Sequence, residues 1–173
     1  EIYQNIIERS RSKFFYLNMD IDDSFESRFD IIILHSFIIF YFLKNFSEYE
    51  KMLSQFLFDF MFNDFDNNLR EMGFGDIAVN KKMKVFITAF YGRIANYSKG
   101  VDQIHNSKDD EILNQAIANN IYKGRNPNSQ YLNFFKQYII SNLDFFNSRN
   151  FEKNLNERFR FIDITYKKES NER

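Results

Sequence analysis

Apolar residues recur along most of this chain at intervals of three and four, the spacing that lines one face of an α-helix. From Ile2 to Leu17 the stripe is weak: Ile2, Ile6, Phe14 and Leu17 are interrupted by Arg9, Arg11 and Lys13. A second helix, capped by Asp22 or Asp23, runs to about Asn45, and its stretch Ile31 to Leu43 is apolar almost all round, which marks a helix buried on several sides. Ser47-Glu48-Tyr49-Glu50 reads as a capping box. The helix it opens carries Tyr49, Met52, Leu53, Phe56, Leu57 and Phe60 as its expected buried face, with Phe58 and Phe62 off it, and ends at Gly73.

After a short connection, Phe74 to Val79, the clearest stripe is Met83, Phe86, Ile87, Phe90, Ile94 and Tyr97, with Lys82, Lys84 and Arg93 turned to solvent. Gly92 inside that helix costs about 1 kcal/mol relative to alanine, so a close approach of other atoms is expected there. Asp109 or Asp110 starts a helix with Ile112, Leu113, Ala116, Ile117 and Ile121 inward, stopped near Gly124. Asn126 caps the next, with Pro127 at its first position and Tyr131, Phe135, Tyr138, Ile139, Asn142 and Phe146 inward. In the tail, Phe151, Leu155, Phe159 and Ile162 suit a helix, whereas Ile162, Ile164 and Tyr166 alternate as a strand does. The expected fold is all-α, a single-domain bundle of about six helices.

Composition sharpens this picture. One Pro and five Gly in 173 residues favour long helices over a turn-rich β-sandwich. The 23 Phe residues, beside abundant Ile, Asn and Lys, reflect coding bias as much as selection for aromatic surfaces. A net charge of −1 supplies no global field toward nucleic acid or anionic lipid, so DNA is not an expected partner. Absence of Cys removes disulfides, thiolate nucleophiles and sulfur-ligated zinc, and fits a reducing compartment. The most apolar stretch, Phe29 to Leu43, is shorter than the roughly 20 residues a membrane span needs. The chain opens at Glu1 with no secretory signal in view.

The search for chemistry returns little. His35 lies in the most apolar helix and His105 in a polar connection, without the ligand spacing that metal or haem demands. Ser36 follows His35 directly, and adjacent helical side chains point about 100° apart, so the two are no nucleophile–base pair. Gly73-Phe74-Gly75 ends a helix with no strand before it, and is not a nucleotide loop. The acids near it lack the calcium-loop pattern. No catalytic residue, cofactor or metal is expected.

One polar constellation stands out, between Asn63 and Arg93. Asp66 and Arg70 are i, i+4 with the acid first, and Asp76 is placed to accept backbone N–H groups of the turn or the next helix. By itself this is a well-specified helix–turn–helix corner, and capping and latching that corner account for it as well as binding does.

The same segment carries a family resemblance. Asp66-Asn67-Asn68-Leu69-Arg70-Glu71-Met72-Gly73-Phe74-Gly75-Asp76, then Val79-Asn80-Lys81-Lys82-Met83-Lys84 and Phe90-Tyr91-Gly92-Arg93, resembles the signature of the ubiquinol–cytochrome c reductase (bc1 complex) assembly chaperones. Leu34-His35 matches a weaker upstream feature, and the alignable core runs from about residue 29 to 146. Asn80 stands where the family usually has Pro or Gly. The resemblance implies a non-enzymatic chaperone that binds newly made cytochrome b or other bc1 subunits together with a small co-chaperone. It also implies work near the ribosome or membrane surface, in a bacterial cytoplasm, peripheral at the inner membrane, or on the matrix side of a mitochondrion. Asp66, Arg70, Glu71, Phe74, Asp76, Lys81, Lys82 and Arg93 are the candidate partner-binding residues, with aromatic residues such as Phe58, Phe62 and Phe74 supplying apolar contact. Two alternatives stay open: a helical haem or quinone carrier, and a general helical adaptor.

Overall fold

The computed structural model describes residues 1–44, 46–150 and 152–164. Among them are six helices of nine residues or more and two short ones, with no strand. They are α1 (Ile2–Ser10), α2 (Lys13–Asn18), α3 (Phe25–Leu43), α4 (Glu48–Glu71), α5 (Asp76–Ser107), α6 (Glu111–Asn120), α7 (Ser129–Ser148) and the single turn α8 (Leu155–Arg158). The fold is all-α.

Helix α3 is the central post. Ile31, Ile33, Leu34, Phe37, Ile38, Ile39 and Leu43 are completely buried, as sides facing different directions of one helix can be only when neighbours enclose it. Helices α1, α4, α5 and α7 pack around it. The larger core joins α1, α2 and α3 to α5, α6, α7 and the tail. A smaller aromatic core sits between α3, α4 and α5, where Phe29, Ile33, Met61, Phe62, Phe65 and Phe90 meet.

The N-terminal stripe is divided between two helices. Arg11 ends α1 and Ser12 precedes α2, and the change of direction lets Phe15 bury completely while Tyr16 Oη donates to the Ser10 carbonyl at 3.0 Å. Leu17 is left 76% exposed. Ser24, rather than Asp22 or Asp23, caps α3 by accepting the Ser27 N–H, and Asp23 instead takes both ends of the Arg28 guanidinium. At Ser47 the hydroxyl donates to the Glu50 carboxylate, so the helix start is right but the reciprocal capping bonds are not made.

The exit from α4 follows the sequence closely. Gly73 has φ 93°, the Gly73 N–H reaches the Arg70 carbonyl at 2.9 Å, and the Phe74 N–H reaches that of Leu69 at 3.2 Å. These paired bonds form a Schellman closure, which glycine permits because it has no Cβ to clash. Residues 76–79 belong to α5 rather than to the connection, and Gly75 is its cap residue. At 32 residues, α5 is about 48 Å long.

Gly92 is exposed with open space around it, contrary to the expected close approach. The tight crossing is at Gly100, where an added Cβ would stand 2.7 Å from the Leu113 Cα and N of α6. Helix α6 starts where expected, with the Asp109 side chain accepting the Glu111 N–H at 2.9 Å. Asn128, not Asn126, caps α7 by accepting the Gln130 N–H at 2.8 Å, which leaves Pro127 in the preceding loop. Its inward face is otherwise as expected, with Phe135, Tyr138, Ile139, Asn142 and Phe146 all buried.

Among the described residues 152–164 the tail is neither long helix nor strand. After α8 the chain runs irregularly, with Phe159 and Phe161 buried and the Ile162 N–H donating to Asn142 Oδ1 at 3.0 Å. It is tied to α1 by Asn5 Nδ2 on the Asn156 and Phe159 carbonyls and by Arg9 on that of Phe161. Phe151 and Tyr166 lie outside the described residues.

The two glycines of α5 should respond oppositely to substitution. Gly100→Ala, meeting backbone atoms of α6, should lower stability by about 3 kcal/mol. Gly92→Ala, in open space, should raise it by up to about 1 kcal/mol. Urea unfolding of the two variants beside the parent checks both.

Candidate functional site

Arg70 organises the α4–α5 corner. Its Nε contacts Asp66 Oδ1 at 2.6 Å one turn back, and its Nη1 contacts Asp76 at the start of α5. The hydrogen bonds to Asp66 and then Asp76 raise the guanidinium pKa above its ordinary value. Asp76 thus spends its carboxylate on Arg70, not on the backbone N–H groups expected of it. Phe74 is half-buried, with the Lys82 ammonium 4.8 Å from its ring centroid. Lys81 and Glu71 are exposed. Six of the eight candidate residues, Asp66, Arg70, Glu71, Phe74, Asp76 and Lys82, therefore sit together or in sequence around one turn, with Lys81 beside them.

Arg93 is elsewhere. It lies 17 residues along α5 from Asp76, about 25 Å at helical rise. Its Nη2 is 2.8 Å from Asp30 Oδ1, and the Lys123 ammonium bonds the other oxygen of the same carboxylate. Asp30 is 2% exposed at its side chain, in α3. Burial pushes its carboxyl pKa up, against the bonds from Lys123 and the charge of Arg93 that pull it down. This ion triad joins α3 and α5 to the α6–α7 turn. Helical periodicity says nothing of Asp30, yet an acid inside so apolar a helix is itself the signal of a buried counter-charge.

His35 is fully buried. Its Nδ1 is 2.8 Å from the Ile31 carbonyl, which can only accept, so Nδ1 carries the proton. Ser10 Oγ is 3.0 Å from the same nitrogen, and Nε2 accepts from Tyr138 Oη at 3.0 Å. Both ring nitrogens are engaged, leaving neither free for haem iron. Burial lowers the imidazole pKa to about 3. Ser36 donates to the Ile32 carbonyl at 2.8 Å. His105 lies in the last turns of α5, exposed, rather than in a connection. Among the described residues no three His, Asp or Glu side chains are grouped to hold a metal, and no helix is long and apolar enough to cross a membrane.

The apolar surface is not where the sequence put it. Phe62 is buried, Leu57, Met61, Phe65 and Leu69 form the inner stripe of α4, and Phe58 leans on Phe62 and Phe90. Of the expected inner face Leu57 is buried and Leu53 half-buried, whereas the others face out, with Tyr49 59%, Met52 57%, Phe56 65% and Phe60 62% exposed. Helix α4 carries two apolar stripes, and the one that continues to Leu69 meets α3 and α5. Phe60 is edge-on to Tyr3, 5.3 Å between centroids, and Tyr3 Oη donates to Asp64 at 2.6 Å. Tyr3 in turn lines a groove of about 860 Å³ between α1–α2, α3 and α4, with Phe29, Ile32, Phe65 and Met72 among its walls. Glu71 is the candidate residue that lines it.

The described residues form an all-helical body with a latched corner, an outward apolar row and a groove. The ubiquinol–cytochrome c chaperone family model matches residues 17–161, and the chain belongs to that family. The match reaches beyond the 29–146 core on both sides. Two curated relatives, the ubiquinol–cytochrome c reductase complex assembly factor 1 proteins of Mus musculus and Homo sapiens, are each 23% identical over 151 residues, 87% of this chain. The chain spans about half their length, 50% and 49% respectively. The crystal structure of the Cbp3 homologue from Brucella abortus superposes with a TM-score of 0.74 at 25% identity, covering 94% of this chain and 87% of that one.

Charge reversal should separate the two arginines. Arg93→Glu leaves Asp30 facing a second acid in the interior and should cost about 3 kcal/mol or more in urea unfolding, whereas Arg70→Glu at the exposed corner should leave the midpoint close to the parent's. A second expectation concerns acid. The folded state keeps His35 neutral down to about pH 3 while the unfolded chain protonates near 6.5, so stability is full above 6.5 and falls as pH drops. The slope contributed by this one group is about 1.4 kcal/mol per pH unit. Chemical denaturation of wild type and His35→Gln between pH 7 and 4 checks it, since the variant should lose that part of the slope.

Proposed function

We propose that this chain is an assembly chaperone of the cytochrome bc1 complex that binds newly made cytochrome b and holds it until it is matured or inserted. The observation that carries the reading is the family match over residues 17–161. The names of the two relatives, assembly factors of the ubiquinol–cytochrome c reductase complex, point the same way. The chemistry agrees: a buried, fully bonded His35 and a helix-bonded Ser36 suit a structural role, and the polar residues of the corner suit recognition rather than turnover.

In this reading Asp66, Arg70, Glu71, Phe74, Asp76, Lys81 and Lys82 orient a partner, because rim charges select and align while aromatic side chains supply affinity. Arg93 serves the same surface from within, by holding α5 against α3. Other bc1 subunits and a small co-chaperone are further partners of this surface. Lys81, Lys82 and Lys84 at the start of α5 give it a place to touch ribosomal RNA or anionic lipid. The setting is the cytoplasmic side of a bacterial inner membrane, or the matrix side of a mitochondrial one.

The test is a cross-linking capture from the native cell, with wild type beside Arg70→Glu. Cytochrome b recovered with wild type, and reduced severalfold by the folded variant, is the expected result. Failure of wild type to capture cytochrome b or any bc1 subunit overturns the reading.

A further inference from the structure

Apart from Phe60 on Tyr3, the outer row of α4 is left uncovered by the described residues, and its setting specifies what can cover it. Tyr49, Met52, Phe56 and Phe60 stand at i, i+3, i+7 and i+11, each more than half exposed, along about 16 Å of one helix face. Four large apolar side chains in a line on the side opposite the core form a patch of the kind that marks an interaction surface.

The edges of the row are acidic. At 100° per residue, Glu48, Asp59 and Asp66 fall along one side of it and Glu50 and Asp64 along the other. Helix α4 has six acids against two bases, and both bases are already committed, Lys51 to Glu48 and Arg70 to Asp66 and Asp76. Glu48 and Asp66 are balanced by those bases, so the face is an apolar strip between rails whose surplus negative charge is that of Asp59 on one side and of Glu50 and Asp64 on the other.

We infer that this strip receives one apolar helical segment with basic flanks, the chemistry of a membrane span and its adjoining Lys/Arg-rich end. The inference rests on the chaperone reading above and names the part of the client that is held. An apolar helix supplies side chains to lie between Met52, Phe56 and Phe60, in the helix-on-helix mode. Its flanking lysines or arginines meet the acidic rails, and an acid-flanked segment is repelled. A second copy of this chain fits poorly, because pairing row against row brings two sets of acids together.

The probe is a fluorescein-labelled Leu/Ala helix of about three turns with two lysines at each end, set beside the same helix flanked by glutamates. Anisotropy titrations of the whole chain should give about tenfold tighter binding of the lysine-flanked peptide, and a loss of about tenfold in the Phe56→Ser/Phe60→Ser variant. Both positions are exposed, so the variant keeps its fold, which circular dichroism verifies. Asp59→Lys should narrow the difference between the peptides. Equal binding of the two peptides, or binding untouched in the Phe56→Ser/Phe60→Ser variant, overturns the inference. So does light scattering that shows a dimer of wild type dissociated by that variant, which gives the row to a second copy. Cellular capture separates this from the broader reading. Cytochrome b retained by the Phe56→Ser/Phe60→Ser variant removes only the assignment of the row, whereas no capture by wild type removes the chaperone role.

Discussion

Enclosure of α3 is the constraint to which the other helices answer. A helix with apolar side chains in every direction has no side to give to water, so α1, α4, α5 and α7 each cover a sector of it. The same enclosure decides the fate of its polar residues. His35 is met by Ile31, Ser10 and Tyr138, Ser36 by Ile32, and Asp30 by Arg93 and Lys123. The bonds to Ser10, Tyr138, Arg93 and Lys123 each fasten a surrounding element to the post at a fixed height, so polar groups that are costly to bury also set the register of the bundle.

Covering one post from several sides leaves the outer helices with unequal demands. Helix α5 is long enough to serve α3, α4 and α6 in turn, and it meets α6 so closely at Gly100 that no larger residue fits there. Helix α4 touches the post mainly through its second half, Met61 to Leu69, and its first half is held to the body by less. The outward row begins where this packing thins. The corner at Arg70 then returns the chain to α5, and its ion pairs with Asp66 and Asp76 latch the end of α4 to the start of α5.

The helical class, the closure at Gly73 and the inner faces of α5, α6 and α7 were legible because each rests on a local pattern or a single stripe. Cap positions at Ser24 and Asn128 slipped by one or two residues because several Asp, Asn and Ser neighbours compete for the same role. The face of α4 was not legible. Both of its stripes satisfy helical periodicity, and only the position of α3 and α5 selects between them. Gly92 and Gly100 look alike in sequence, and the close neighbour of Gly100 arrives from α6. Of the candidate site, the Asp66–Arg70 pair followed from spacing, whereas the bond of Asp76 to Arg70 did not, because it depends on how the turn at Gly73 brings the start of α5 back to α4. Arg93 read as a solvent-facing member because its partner Asp30 lies 63 residues earlier in another helix.

The ties between α1 and the segment 156–161 span 151, 154 and 152 positions of sequence. A ribosome releases α1 well before its clasp, so the helix waits without it while the intervening residues are made. Its Tyr3 anchor on Asp64 is ready much earlier, once α4 has emerged. Helix α1 is thus fastened to segment 156–161 only after the rest of the bundle has been made, and a nascent chain stalled before Phe159 would present the buried surface of Ile2 and Ile6 without that clasp.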